Sequence, residues 1–202
     1  MQKSIEILAK DRAYDGFFKV DRYQLRQKGV AGHFEFTREL FERGSSAAIL
    51  PYDPVLDRVL VVEEFRIGLL GAGYPAEECW SPGPIAGMID AGELPLETVL
   101  REAKEEAGLN ILPTDLLCDP MIILPSPGGS SELVWLYLIQ ADLTDIKDAP
   151  FGMAGEGEET WRRIRSREDV LSEVLSKPTA GHLTSLMLRL ESLRNAGLIW
   201  EA

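Results

Sequence analysis

Alternation of apolar and polar residues dominates the first 48 positions. In GFFKVDRYQLRQK, Phe18, Val20, Tyr23 and Leu25 alternate with polar side chains, with a slip near Asp21. A turn at residues 29–32 follows. HFEFTRELFERG then sets Phe34, Phe36 and Leu40 among charged residues. This period of two predicts antiparallel strands with one face in solvent. SAAILPYDP predicts a short buried strand stopped by Pro51–Pro54, and RVLVVEEF predicts another over residues 58–65. Residues 68–84 are a Gly/Pro-rich loop by composition. The spacing then turns helical: Pro95 suits a first helical turn and Gly108 the position just past a helix end, which predicts a helix over 96–107. Residues 116–124 and 133–141 read as strands around a turn, PSPGGSSE. Residues 144–159 form an acidic, Gly-containing loop, and 160–164 a last strand. Helices over 166–175 and 183–193 close the chain, with Leu183, Leu186, Leu190 and Leu193 at helical spacing. Strands interleaved with helices predict an α/β (α+β) fold, a mixed sheet between helical layers.

Composition narrows the class. The chain has 202 residues, 45% hydrophobic and 27% charged. That suits one sizeable soluble domain, or one domain plus a small lobe. No run of apolar residues is long enough to cross a membrane, and the N-terminus lacks an apolar stretch of secretory length. Cys79 and Cys118 have no metal-binding spacing, so the expectation is free thiols and a cytoplasmic location. A net charge of −12 argues against nucleic acid as partner. It leaves room for a small anionic substrate held by cations or a few arginines.

Candidate chemistry concentrates in GMIDAGELPLETVLREAKEEAGL, residues 87–109. On the predicted helix Glu102 and Glu106 are four positions apart, so their Cβ atoms are about 5–6 Å from each other. Like charges at that spacing repel. A divalent cation between them reverses the sign, and Mg²⁺ takes carboxylate oxygens and works with phosphates. A helix rich in Glu and Lys can equally be a solvated face, so the pair alone decides little.

The whole spacing decides more. Gly87, Glu93, Arg101, Glu102, Glu105, Glu106 and Gly108 with Leu109 after it resemble the signature of the Nudix hydrolases, with every fixed letter present. Ala103 is the soft position, where that family usually has a larger aliphatic residue. The resemblance implies an α/β/α sandwich over 46–202 and an added antiparallel strand lobe over 1–45 that serves dimerisation. The acidic charge speaks against the RNA-decapping branch. Three segments resemble the ADP-ribose pyrophosphatase branch: GFFKVDRY with RELFERGSSAAILPYDPVLDRVLVVEEFRIG, then AGMIDAGE, then SPGGSSE. The proline this branch carries beyond the box is matched by Pro125, and Pro127 follows within SPGG. Two departures stand out. Gly83 replaces the Glu common four residues before Gly87, between Pro82 and Pro84, and the stretch between box and SPGG is longer.

The branch implies roles residue by residue. Arg66 would fork onto a pyrophosphate; otherwise it is a surface ion pair with Glu63 or Glu64. Phe17 and Arg38 would sandwich adenine; otherwise Phe17, or Phe18 beside it, is packing. Glu132 and Gly129, at the Gly-Gly turn, would meet the ribose; otherwise Glu132 is an exposed turn residue. In GMAGEGEETW, Glu156 would be the general base and Glu158 a metal ligand; otherwise the loop is acidic surface. Mg²⁺, with Mn²⁺ as alternative, would be held by Glu102, Glu106, Glu158 and the Ala86 carbonyl. Glu105 would assist, and Arg101 would orient a box carboxylate. The expected reaction is hydrolysis of ADP-ribose to AMP and ribose 5-phosphate by a homodimer. Rival readings are another nucleoside diphosphate sugar such as GDP-mannose, and a non-catalytic ADP-ribose sensor. The intact box carboxylates, and C-terminal residues that do not read as a basic helix-turn-helix, disfavour the sensor.

Overall fold

The computed structural model describes residues 4–29, 32–151 and 159–199. Its elements are β1 Ile5–Asp15, β2 Lys19–Gly29, β3 Gly32–Glu42, β4 Ser46–Asp53, β5 Arg58–Phe65, α1 Ile67–Gly71, β6 Trp80–Gly83, β7 Ile85–Met88, α2 Pro95–Ala107, β8 Met121–Ile123, β9 Val134–Gln140, β10 Ala149–Phe151, β11 Thr160–Ser166, α3 Arg167–Ser176 and α4 Gly181–Asn195. They form two compact units, one of residues up to Ser45 with Leu124–Leu133, the other of Ser46–Ile123 with residues from Val134 onward. The SPGGSSE turn therefore belongs with the N-terminal strands, which a division at residue 45 does not anticipate.

The first unit is an antiparallel meander, β1-β2-β3. The slip near Asp21 is a polar residue at an inward position, not a break in β2, whose register with β3 is continuous. The β1–β2 register shifts between Arg12 and Tyr14, where they face Asp21 and Val20. Such a bulge puts two residues opposite one. Asp21 is buried and ion-paired with Lys10 at 2.8 Å and with Arg12. Every residue of β1 is exposed. The 124–133 segment docks on the end of β3, where the Phe41 N–H donates to the Gly129 carbonyl at 2.7 Å and the Ser131 hydroxyl to Glu42 at 2.8 Å.

The second unit is the α/β/α sandwich. Its sheet runs β10-β11-β5-β4-β9-β8, with β6 beside β5 and β7 beside β4. Only β4 and β9 pair in parallel among these ladders. Strand alternation builds both cores. Ala48, Leu50, Val59, Val61, Leu136 and Leu138 face α3 and α4 through Val170, Leu183, Leu186 and Leu190. Their neighbours Ala47, Ile49, Leu60, Val62, Tyr137 and Ile139 face α2 through Val99, Ala103 and Ala107. Ala103, the soft position of the box, is fully buried where a small side chain lets α2 lie close to the sheet.

Three local expectations change. Pro51 does not end its strand: β4 continues to Asp53. On one side β4 pairs with β7 over Ser46–Ile49 and with β5 only at Tyr52 and Asp53. Leu50 and Pro51 fall between the two registers, where no ladder N–H is needed. Residues 116–120 are not strand; Leu116 makes a single bridge to Ile139. The loop at 68–84 contains α1, a 3₁₀ turn at Ala76–Glu78 and β6.

The β4–β5 turn carries an unpredicted hub. Asp57 adopts φ 50°, the left-handed region, without being glycine. Its carboxylate accepts from Tyr52 Oη at 2.9 Å and from Arg167 Nε and Nη2 at 2.8 and 3.0 Å. Burial opposes its ionisation, but these bonds outweigh burial and hold its carboxyl below the usual value. Burial and the Asp57 bond push the Tyr52 phenol up to about 12. Asp57→Ala is expected to cost about 2 kcal/mol, from lost charge-assisted bonds discounted for partial exposure. In thermal melts that is a fall of about 4–8 °C. Asp57→Asn, which tolerates the same backbone, should lose less; an unchanged Tm in Asp57→Ala would discount the hub.

Candidate active site

Helix α2 begins where the chain makes it inexpensive to begin. Pro95 has no N–H to satisfy, and the Leu94 N–H donates to Glu97 at 2.8 Å. It ends at Gly108, with φ 65°. The Gly108 N–H donates to the Lys104 carbonyl at 3.1 Å, the bond of an αL closure, and the Leu109 N–H donates to the Ala103 carbonyl at 2.9 Å.

One guanidinium organises the box. Arg101 donates to both oxygens of Glu93 at 3.1 and 3.2 Å, to Glu102 at 2.6 Å and to Glu105 at 3.2 Å. It also donates to the Met88 carbonyl at 3.4 Å. Glu93 further accepts the Asp90 N–H at 3.1 Å and the Thr98 hydroxyl at 2.8 Å. Hydrogen bonds from Arg101, Asp90 and Thr98 hold the Glu93 carboxyl down at about 2. Glu93 is thus a structural tie. The stability it adds is full above the ordinary carboxylate range and is lost only as pH falls toward 2.

Glu102 and Glu106 leave α2 on one side and meet β7. A Cβ on Gly87 would overlap the Glu102 carboxylate, so the glycine is needed for space. Glu106 accepts the Ala86 N–H at 3.3 Å. In a strand, one residue's N–H and C=O project to the same edge. The Ala86 carbonyl therefore faces the edge where Glu106 lies. Burial raises the Glu102 carboxyl above its usual value, and the Arg101 bond only partly opposes that. Among the described residues no three His, Cys, Asp or Glu side chains form a metal-holding group. What β7 and α2 do assemble is two carboxylates and a main-chain carbonyl, hard oxygen donors that fit a Mg²⁺-type ion. Gly87→Ala is expected to displace Glu102 and cut turnover up to about 10²-fold, since a shift of about 1 Å is enough for that. Wild-type turnover in this variant would show that the close approach is dispensable.

A family model described as the NUDIX domain matches residues 42–178. The chain belongs to the Nudix family. It is 38% identical to the ADP-ribose pyrophosphatase of Escherichia coli K12 over 170 residues, covering 83% of this chain and 78% of that protein. It is 37% identical to that of Haemophilus influenzae over 172 residues, covering 83% and 76%. A GDP-mannose pyrophosphatase of Cronobacter sakazakii is 30% identical over 168 residues, covering 80% of each. A solved structure described as an ADP compounds hydrolase superposes with TM-score 0.65 at 20% identity, covering 96% of this chain and 97% of that one, which shows the shared fold. No described helix is long and apolar enough to cross a membrane.

The remaining candidates of this Nudix chain fall in both units. In the second, Arg66 ion-pairs with Glu64, as its plainer reading anticipated. Its Nε is buried without a hydrogen-bond partner among the described residues. The guanidinium lies over Gly83, where any Cβ would collide with it. The departure from Glu at that position thus makes room for Arg66. In the first unit, Phe17 is 85% exposed, while Phe18 packs on Phe41 and under Arg43. Arg38 is exposed, donates to the Thr37 carbonyl at 2.9 Å and stacks on Phe36. It stands opposite Tyr23, whereas β2 begins at Lys19, so Phe17 lies more than about 13 Å away along the strand. One chain does not bring Phe17 and Arg38 together. Glu132 is buried, not an exposed turn residue, and faces Arg43 at 3.5 Å. Gly129 bonds Phe41 through its carbonyl. Glu156 and Glu158 lie outside the described residues.

Two basic residues escaped the sequence reading. Arg43 neutralises Glu132; Arg162 reaches α2. The available signal for Arg162 was its position in TWRRIRS, on the face of Thr160 and Ile164, which alternation turns toward the core.

Proposed function

We propose that this Nudix enzyme hydrolyses the pyrophosphate of ADP-ribose to AMP and ribose 5-phosphate with Mg²⁺, Mn²⁺ being the alternative ion. The observation that carries the reading is the convergence of Glu102 and Glu106 on the Ala86–Gly87 backbone. The two ADP-ribose pyrophosphatases above support the substrate.

Glu102, Glu106, Glu158 and the Ala86 carbonyl would hold Mg²⁺, which when bound neutralises charge developing on the pyrophosphate and acidifies a water. Arg101 keeps Glu102 oriented, and Glu105 shares that guanidinium. Glu156 takes the proton of the attacking water. Attack at one phosphorus breaks the P–O–P bridge. Arg66, whose buried Nε has capacity to spare, forks onto the pyrophosphate. Phe17 and Arg38 stack on adenine, and Glu132 with Gly129 borders the ribose.

A homodimer belongs to this reading, and the first unit supports it. Phe17 and Arg38 lie apart along one chain, and in a dimer the two would flank one base from different subunits. Ile5, Ile7, Tyr14 and Phe34 are more than half exposed, an apolar surface suited to a second copy. A monomer by light scattering would count against this.

The deciding experiment incubates the purified protein with Mg²⁺ and ADP-ribose, GDP-mannose, UDP-glucose, NADH or diadenosine polyphosphates, and identifies products. AMP and ribose 5-phosphate, formed fastest from ADP-ribose, is the expected result. Preference for GDP-mannose would move the substrate toward the more distant relatives. Binding of ADP-ribose without turnover would favour a sensor.

A further inference from the structure

We propose that Arg162 is a positioning residue of the reaction, fixing the last turn of α2 to the β10–β11 hairpin. The inference rests on the hydrolase reading and adds a residue to it.

Arg162 stands in β11 between Val62 of β5 and Ala149 of β10. Val62 packs against α2, so Arg162 shares the helix-facing side of the sheet. Its Nη1 donates to the Ala107 carbonyl at 2.5 Å, and its Nε donates to the Lys147 carbonyl at 2.9 Å. The guanidinium carbon sits 4.6 Å from the centre of the Phe151 ring. A Cβ on Gly108 would stand 3.3 Å from that ring and 3.5 Å from Arg162. The box glycine therefore meets two demands, the left-handed turn and the close approach of these two side chains.

Helix closure does not need this arginine. The Gly108 and Leu109 N–H groups already occupy the Lys104 and Ala103 carbonyls. Arg162 takes the Ala107 carbonyl, a terminal group of a buried residue without an intrahelical partner, and ties it to the hairpin stem. A planar fork with two donors fixes the separation of the two carbonyls it grips. Ala107 directly follows Glu106. Phe151 directly precedes residues 152–158, which carry Glu156 and Glu158. By chain continuity, Arg162 joins the bases of the two acidic clusters on which the reaction is proposed to depend.

The test compares Arg162→Met and Arg162→Lys with wild type in the full chain. The readouts are kcat and KM for ADP-ribose, Mg²⁺ affinity by calorimetry, and Tm. In Arg162→Met, kcat should fall at least about tenfold with KM within about twofold, as misplaced catalytic groups predict. Mg²⁺ binding should weaken several-fold. Arg162→Lys, reaching one carbonyl at a time, should recover part of both. A lowered Tm with wild-type kcat and Mg²⁺ affinity would overturn the proposal, and so would a raised KM at unchanged kcat. If wild type itself does not turn over ADP-ribose, the substrate reading fails, and the Mg²⁺ affinities of the three proteins still decide the positioning role. If Arg162→Met does not fold, Arg162→Lys carries the comparison.

Discussion

Glu106→Gln is expected to lower kcat for ADP-ribose about 10³-fold, about 4 kcal/mol of barrier, while leaving the protein folded. The amide keeps an oxygen that accepts the Ala86 N–H, so the bond between α2 and β7 survives. What disappears is the negative charge. A hard divalent cation binds an amide oxygen far less well than a carboxylate. Glu102→Gln should fall as far. There Arg101 keeps Glu93 and Glu105 as partners, so the box loop stays tied. Steady-state kinetics across a Mg²⁺ titration check both variants. Their activity should rise with Mg²⁺ without reaching the wild-type plateau. A loss smaller than tenfold at saturating Mg²⁺ would remove the pair from the metal site.

Glu156→Gln should cost about 10²–10⁴ in kcat, the range of a positioned general base, with KM nearly unchanged. Glutamine has the shape of the carboxylate but cannot take a proton. The second mark is the pH profile. Wild-type kcat should rise on the acid side as the base ionises, and that limb should vanish in the variant. Equal turnover in variant and wild type would transfer the role, with Glu159 the next residue to change.

The α/β/α sandwich was legible because burial and periodicity agree. RVLVVEEF is apolar on both sides of the strand, and Val59 and Leu60 do face opposite cores. The box helix was legible from Pro95, Gly108 and the carboxylate spacing. Strands β2 and β3 were legible from alternation; the bulge opposite Asp21 was not, because its extra residue lies in β1. Pro51 misled, because the cost of a missing N–H depends on which neighbour a strand has at that residue. The burial of Glu132 was not legible, since its partner Arg43 is remote in sequence.

By itself, then, the sequence determined what local spacing controls: element types, the carboxylates that share a helix face, and membership of a family whose box is read letter by letter. Only the tertiary structure decided which groups meet. Gly87 is small because Glu102 lies against it, Gly83 because Arg66 does, and Arg162 is half-buried because it joins the end of α2 to the Lys147 carbonyl. Each of these joins residues from different elements. Their distances are set by strand register and helix packing, which no window of sequence contains.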